Sequence, residues 1–122
     1  MRERRKFVRG VQERRRFVRI TENLQISYEV MSKRMVRDSL TKDVSQAGIR
    51  FLTQEFIAKD SLLKIRLILE KIPFSFETLA RVVWVREVSR SGRYEIGVEF
   101  TNISAEAAKQ LIDYLTNIVT GK

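Results

Sequence analysis

Alternation is the feature that most narrows what this chain can become. Leu24, Ile26, Tyr28 and Val30 alternate with Gln25, Ser27 and Glu29, and the same period of two returns at Leu63, Ile65 and Leu67 and at Tyr94, Ile96, Val98 and Phe100. An apolar side chain at every second residue marks a strand with one buried face. Further strands are predicted over Lys33 to Arg37, at Ile49 to Leu52, and from about Phe76 to Val85 after Pro73, the sole proline. Asp43 to Gly48 carries the residue types of a turn, and Ser89 to Gly92 those of a hairpin turn. The tail then changes period. Ala108, Leu111, Ile112, Leu115, Ile118 and Val119 fall at helical spacing, with Ser104 as N-cap and Glu106 in the first turn, where the helix dipole favours an anion. Six short strands and one helix over about 103–119, with no connection long enough for a parallel crossover, predict an antiparallel barrel or sandwich whose helix packs over an opening or an edge.

A chain of 122 residues suits a single core, and 43% apolar with 32% charged residues is ordinary globular usage. The chain has no His and no Cys. That removes the usual side chain for proton transfer near neutral pH, the thiolate nucleophile, the common zinc ligands and any disulfide framework. No nucleophile stands beside an activating base, so no enzyme, catalytic residue, metal or cofactor is expected. The longest uninterrupted apolar stretch is Val82 to Val85, so the expectation is a soluble, cytoplasmic protein without a membrane span.

The net charge of +9 is unevenly spread: residues 1–19 hold nine basic and two acidic residues, leaving only +2 for the remaining 103. The chain therefore divides into a basic arm, 1–19, and an almost neutral body, 20–122. Eight of the nine cations in the arm are Arg, whose planar fork can bond phosphate or a guanine edge in two places. The arm also repeats itself. Glu3-Arg-Arg-Lys-Phe-Val-Arg9 recurs as Glu13-Arg-Arg-Arg-Phe-Val-Arg19, each copy containing Arg-x-x-x-Arg.

Arg15-Arg-Phe-Val-Arg19 just before the first strand, followed by Asp43-Val-Ser45-Gln-Ala-Gly48, resembles the two signature motifs of the PilZ domain, Arg-x-x-x-Arg and (Asp/Asn)-x-Ser-x-x-Gly. Ala80-Arg-Val-Val-Trp84 and Tyr94-Glu-Ile-Gly97-Val-Glu-Phe100 are similar to the later strands of that family. The resemblance implies a mainly β fold, a six-stranded antiparallel barrel with one C-terminal helix and a basic N-terminal arm. It also implies a bacterial receptor for cyclic di-GMP, with the ligand between arm and barrel face and the signal passed to a downstream protein by ordering of the arm.

On that resemblance Arg15 and Arg19 contact guanine and phosphate, Asp43 accepts from guanine donors, Ser45 adds a hydroxyl contact, and Gly48 lets the ligand approach. The chemistry is consistent, because guanine offers O6 and N7 to an arginine fork and N1–H and N2–H to a carboxylate. Arg14 precedes the motif, and an additional arginine there goes in that family with two stacked, intercalated ligands, so one or two molecules per chain are implied. Arg15 and Arg19 are preferred over Arg5 and Arg9 because they adjoin the first strand.

Two other classes compete. A basic-armed barrel could bind nucleic acid through its backbone, although its near-neutral body argues against this, and a barrel could serve as a nucleotide-independent adaptor between proteins. Residue by residue, Trp84 is expected in the core or under the helix, and Glu95 and Glu99 are expected to alternate to solvent. Phe7 and Phe17 could stack on a base, and Phe17 could equally dock on the barrel. Arg50, Arg81 and Arg86 are candidates for the same face as the signature motif.

Overall fold

Each predicted alternation becomes a strand in the structure, a computed structural model that describes residues 19–69 and 74–120. In chain order the elements are β1 (Gln25–Val30), β2 (Met35–Ser45), β3 (Gly48–Thr53), β4 (Leu62–Leu69), β5 (Phe74–Glu87), β6 (Tyr94–Thr101) and α1 (Ala105–Thr120). The strands close into a barrel in the order β1-β2-β3-β6-β5-β4, every neighbouring pair antiparallel. Closure settles the choice between barrel and sandwich, and it leaves no free sheet edge along the closed circuit.

The inward residues of the alternating segments form one core. Ile26 and Tyr28 of β1, Ile49 and Phe51 of β3, Leu63, Ile65 and Leu67 of β4, and Ile96 and Val98 of β6 are buried together. The rings of Tyr28 and Phe51 lie 5.1 Å apart, and burial, reinforced by Glu55, pushes the Tyr28 phenol up to about 12. Ser89 to Gly92 forms the predicted β5–β6 connection, with Ser89, Arg90 and Gly92 all at positive φ.

The helix begins as expected: the Ser104 hydroxyl accepts from the Ala107 amide at 3.0 Å, an N-cap bond. Its buried stripe is Ala107, Leu111, Tyr114 and Leu115, which join the barrel core. Ile112, predicted for that stripe, is exposed, because it lies about 100° round the helix from Leu111. Among the described residues no helix is long and apolar enough to cross a membrane.

The second strand is longer than its predicted Lys33 to Arg37. It runs to Ser45, so Asp43 and Ser45 stand on a strand, and only Gln46 and Ala47 make the turn into β3. Part of the reason is the incoming chain, which lies along this end of β2. Ile20 and Val44 exchange both backbone hydrogen bonds, at 2.8 and 2.9 Å. The Leu24 amide donates to the Thr41 hydroxyl at 2.9 Å, and the Asn23 amide nitrogen donates to the Thr41 carbonyl at 2.7 Å.

Candidate functional site

The Ile20–Val44 bridge fixes where the arm meets the barrel, and it delivers Arg19 to the next residue on β2. Arg19 Nη1 donates to Asp43 Oδ1 at 2.5 Å, closing the 24-residue interval between the two motifs. Across the two-residue turn the register places Ser45 opposite Gly48, Val44 opposite Ile49 and Asp43 opposite Arg50. The pairing continues through the next two strands. Arg50 stands opposite Gly97, and Gly97 opposite Trp84, so Asp43, Arg50, Gly97 and Trp84 form one row across β2, β3, β6 and β5.

The neighbouring row, Val44, Ile49, Val98 and Val82, is buried in the core, which turns the Asp43 row outward. Beyond it Ser45, Gly48, Glu99 and Arg81 form the next outward row. Trp84 belongs to the outward set because the pairing skips a residue between Val82 and Trp84. That bulge shifts the phase of β5 by one. The indole is consequently 39% exposed, which corrects its expected place in the core.

The charges on this face form an alternating chain. Asp43 Oδ2 meets Arg50 Nη2 at 2.6 Å, Arg50 Nη1 faces Glu95 Oε2 at 3.5 Å, and Glu95 Oε1 accepts from Arg86 Nη2. Both carboxylates are sunk, with side chains 7% and 4% exposed, whereas Arg19 and Arg86 at the ends stand 52% and 67% exposed. Glu95 therefore does not reach solvent as predicted. It points outward but lies beneath two guanidinium groups, and burial of a carboxylate requires such partners. Glu99 does stay exposed and pairs with Arg81 at 2.5 Å, a hydrogen bond that holds the Arg81 guanidinium still more firmly protonated.

A pocket of about 330 Å³ opens on this face between Arg19, Asp43, Arg50, Gly48, Gly97 and Trp84. Two of its features are shape devices. A Cβ on Gly48 would overlap the Val98 carbonyl, so this glycine lets β3 lie close to β6, and the space it frees is filled by backbone. A Cβ on Gly97 would overlap the indole of Trp84, so that glycine lets the ring lie across the sheet. The Ser45 hydroxyl is buried and engaged in the turn, accepting from the Ala47 amide at 3.1 Å. A second groove of about 650 Å³, bordered by Leu40, Leu52 and Ile68, has no basic residue among its described lining and suits an anion less well.

Of the predicted site residues, Arg19, Asp43, Ser45 and Gly48 are thus brought together, while Arg14 and Arg15, like Phe7, Phe17 and the Arg5 to Arg9 copy, lie outside the described residues. Arg50, a candidate for this face from the sequence, does stand on it, although no role there was given to it, and Trp84 was not assigned to the site from sequence. Treating Asp43 to Arg50 as a two-residue hairpin would have set Arg50 opposite Asp43. The β5 bulge that exposes Trp84 has no comparable signal. Among the described residues no group of His, Cys, Asp and Glu is arranged to hold a metal ion.

The comparisons agree with this architecture. A family model described as PilZ domain matches residues 13–117, including the second arginine repeat and excluding the first. No curated protein matches the chain in sequence. Among solved structures it is similar to the Bacillus subtilis inhibitor of motility MotI/DgrA, with a TM-score of 0.78 and 20% identity over 90% of this chain and 53% of that one. It is similar to Escherichia coli YcgR in complex with c-di-GMP, with a TM-score of 0.73 and 17% identity over 88% and 47%. The K. pneumonia MrkH–c-di-GMP complex gives 0.74 and 18% over 89% and 54%. The chain spans about half the length of these three proteins.

Proposed function

The chain belongs to the PilZ domain family, and from that membership we propose that it is a receptor for cyclic di-GMP, the ligand named for the YcgR and MrkH complexes. The observation that carries the reading is the gathering of Arg19, Asp43, Arg50 and Trp84 around one pocket where the arm joins the barrel. The ligand is a dianion with two guanines, and each of these side chains has a use for it. The arginine forks suit phosphate or the O6 and N7 edge, and the Asp43 carboxylate suits N1–H and N2–H. The exposed indole offers a stacking face, an interaction worth roughly 1–3 kcal/mol per base.

In this reading Arg15 closes beside Arg19, Arg14 extends the site to a second ligand where two are bound, and Ser45 and Gly48 shape the turn that holds Asp43. Ordering of the arm over the ligand then changes the surface offered to a downstream protein, the differential contacts of the closed state supplying the bias. The concentration of charge in residues 1–19 supports a second reading, backbone binding of nucleic acid, whose sign would be an affinity that collapses with salt.

Calorimetric titration with cyclic di-GMP, with GMP as control, tests the proposal. The protein should bind the cyclic dinucleotide selectively at physiological salt. Arg19→Ala and Asp43→Ala should each weaken binding at least about tenfold, the worth of a charge-assisted hydrogen bond. Failure of the unaltered protein to bind overturns the receptor, and unchanged affinity in both variants overturns the site.

A further inference from the structure

Asp43 is held by two arginines that are not equivalent. Among the described residues Arg19 has Asp43 as its only side-chain partner, and it sits half-exposed at the end of the arm. Arg50 stands in the middle of β3 and bridges two buried carboxylates, reaching Asp43 with Nη2 and Glu95 with Nη1. Among the described residues its Nε is buried without a hydrogen-bond partner, and only Asp43 and Glu95 hold the guanidinium plane. Glu95 borders no part of the pocket, which Arg50 and Asp43 do. Whatever Glu95 does for a ligand, it does through Arg50.

We infer that Glu95 and Arg50 are a positioning pair that aims the Asp43 carboxylate, and thereby set how strictly the site demands a base with an exocyclic amine beside its ring N–H. The inference rests on the cyclic di-GMP reading and deepens it. Each carboxylate oxygen can accept more than one hydrogen bond, so Oδ2 can keep Arg50 and still receive a base donor. Oδ1 becomes available when Arg19 turns to the ligand. A carboxylate pinned along one side in this way meets N1–H and N2–H of guanine in a fixed plane, and a loosely held one would accept N1–H alone nearly as well. Arg86 completes the device from the far side by neutralising the other oxygen of Glu95, which keeps a buried acid next to the site without a net negative charge.

A structural ion pair and a positioning pair differ in what their loss changes. Loss of a structural pair lowers stability and weakens all ligands together. Loss of a positioning pair alters the preference between ligands. The experiment compares cyclic di-GMP with its inosine analogue, cyclic di-IMP, which lacks the N2 amine and is otherwise the same. Calorimetry is run on the full chain and on Glu95→Gln and Arg50→Lys, with thermal unfolding of each as a check on folding.

The unaltered protein should prefer cyclic di-GMP by about tenfold or more, the usual return on one hydrogen bond to a charged group. In Glu95→Gln that preference should shrink by about threefold or more, chiefly through weaker binding of cyclic di-GMP, because a neutral amide holds Arg50 less firmly. Arg50→Lys should move it the same way, since a single ammonium lacks the fork that spans both carboxylates. If Glu95→Gln does not fold, Arg50→Lys carries the test alone. A preference that stays at the unaltered value in every folded variant, whatever happens to absolute affinity or melting temperature, overturns the inference and leaves the receptor standing. If the unaltered chain binds neither dinucleotide, the receptor reading itself falls and this inference with it.

Discussion

Gly97 and Gly48 lie on neighbouring strands two rows apart, yet their missing side chains serve different neighbours. A Cβ on Gly97 would meet the indole of Trp84, a side chain that can swing away, whereas a Cβ on Gly48 would meet the Val98 carbonyl, which is backbone. Gly97→Ala should therefore leave the barrel folded and lift the only tryptophan off the sheet. The expected result is a changed intrinsic fluorescence and a loss of cyclic di-GMP affinity of up to about tenfold, the scale of a stacking contact. Gly48→Ala should act on stability instead, lowering it by about 1–3 kcal/mol as β3 is forced from β6, measured by denaturant unfolding. Equal effects of the two variants on stability would contradict the assignment. The misplacement of Trp84 from sequence has a local cause. Val82-Val-Trp-Val85 offers no alternation to phase, and the bulge between Val82 and Trp84 reverses the facing that uninterrupted pairing would give. Glu95 was misjudged for a different reason: its outward phase was legible, but the two arginines that cover it come from other strands.

At the scale of elements, legibility followed periodicity. The segments that became β1, β4 and β6 were readable because one face meets the core and the other meets solvent or polar partners, so polarity alternates with the pleat. The C-terminal half of β2 was not, because Thr41 and Asp43 are polar residues buried on the strand and satisfied by partners distant in sequence, the Leu24 amide and Arg19 among them, and Ser45 is buried there with its hydroxyl bonded to the Ala47 amide of the turn. The helix was readable in period and in its Ser104 cap, while its exact stripe depended on the core it packs against. That stripe gives a sharp contrast between adjacent residues. Leu111 is fully buried in the shared core and Ile112 is exposed. Leu111→Ala should destabilise the protein by about 2–5 kcal/mol and Ile112→Ala by less than about 1 kcal/mol, measured by chemical denaturation. Comparable losses would mean that the helix docks by another face.

For the molecule as a whole, the question is which part of its charge serves recognition. Residues 1–19 carry +7 of the net +9, and they contain two copies of Arg-x-x-x-Arg. The family match begins at residue 13 and so takes in only the second copy. That copy ends at Arg19, which reaches Asp43, while Arg9 precedes Arg19 by ten residues. Charges that do not touch a ligand act on it through solvent, and at physiological ionic strength that influence fades over about 8 Å. Contacts made directly at the site are screened far less. The joint replacement Arg5→Gln with Arg9→Gln should consequently leave cyclic di-GMP affinity within about threefold at 150 mM salt and show a larger deficit only when salt is lowered. Arg15→Gln with Arg19→Gln removes the same formal charge and, on the proposed reading in which these forks hydrogen-bond the ligand, should weaken binding by well over tenfold at both salt concentrations. Titrations of the two double variants at 20 and 150 mM salt distinguish these outcomes. The larger loss falling on the first pair would move the binding motif to Arg5 and Arg9. Equal losses that vanish together as salt rises would make the whole arm a diffuse anion attractor, as the nucleic-acid reading requires.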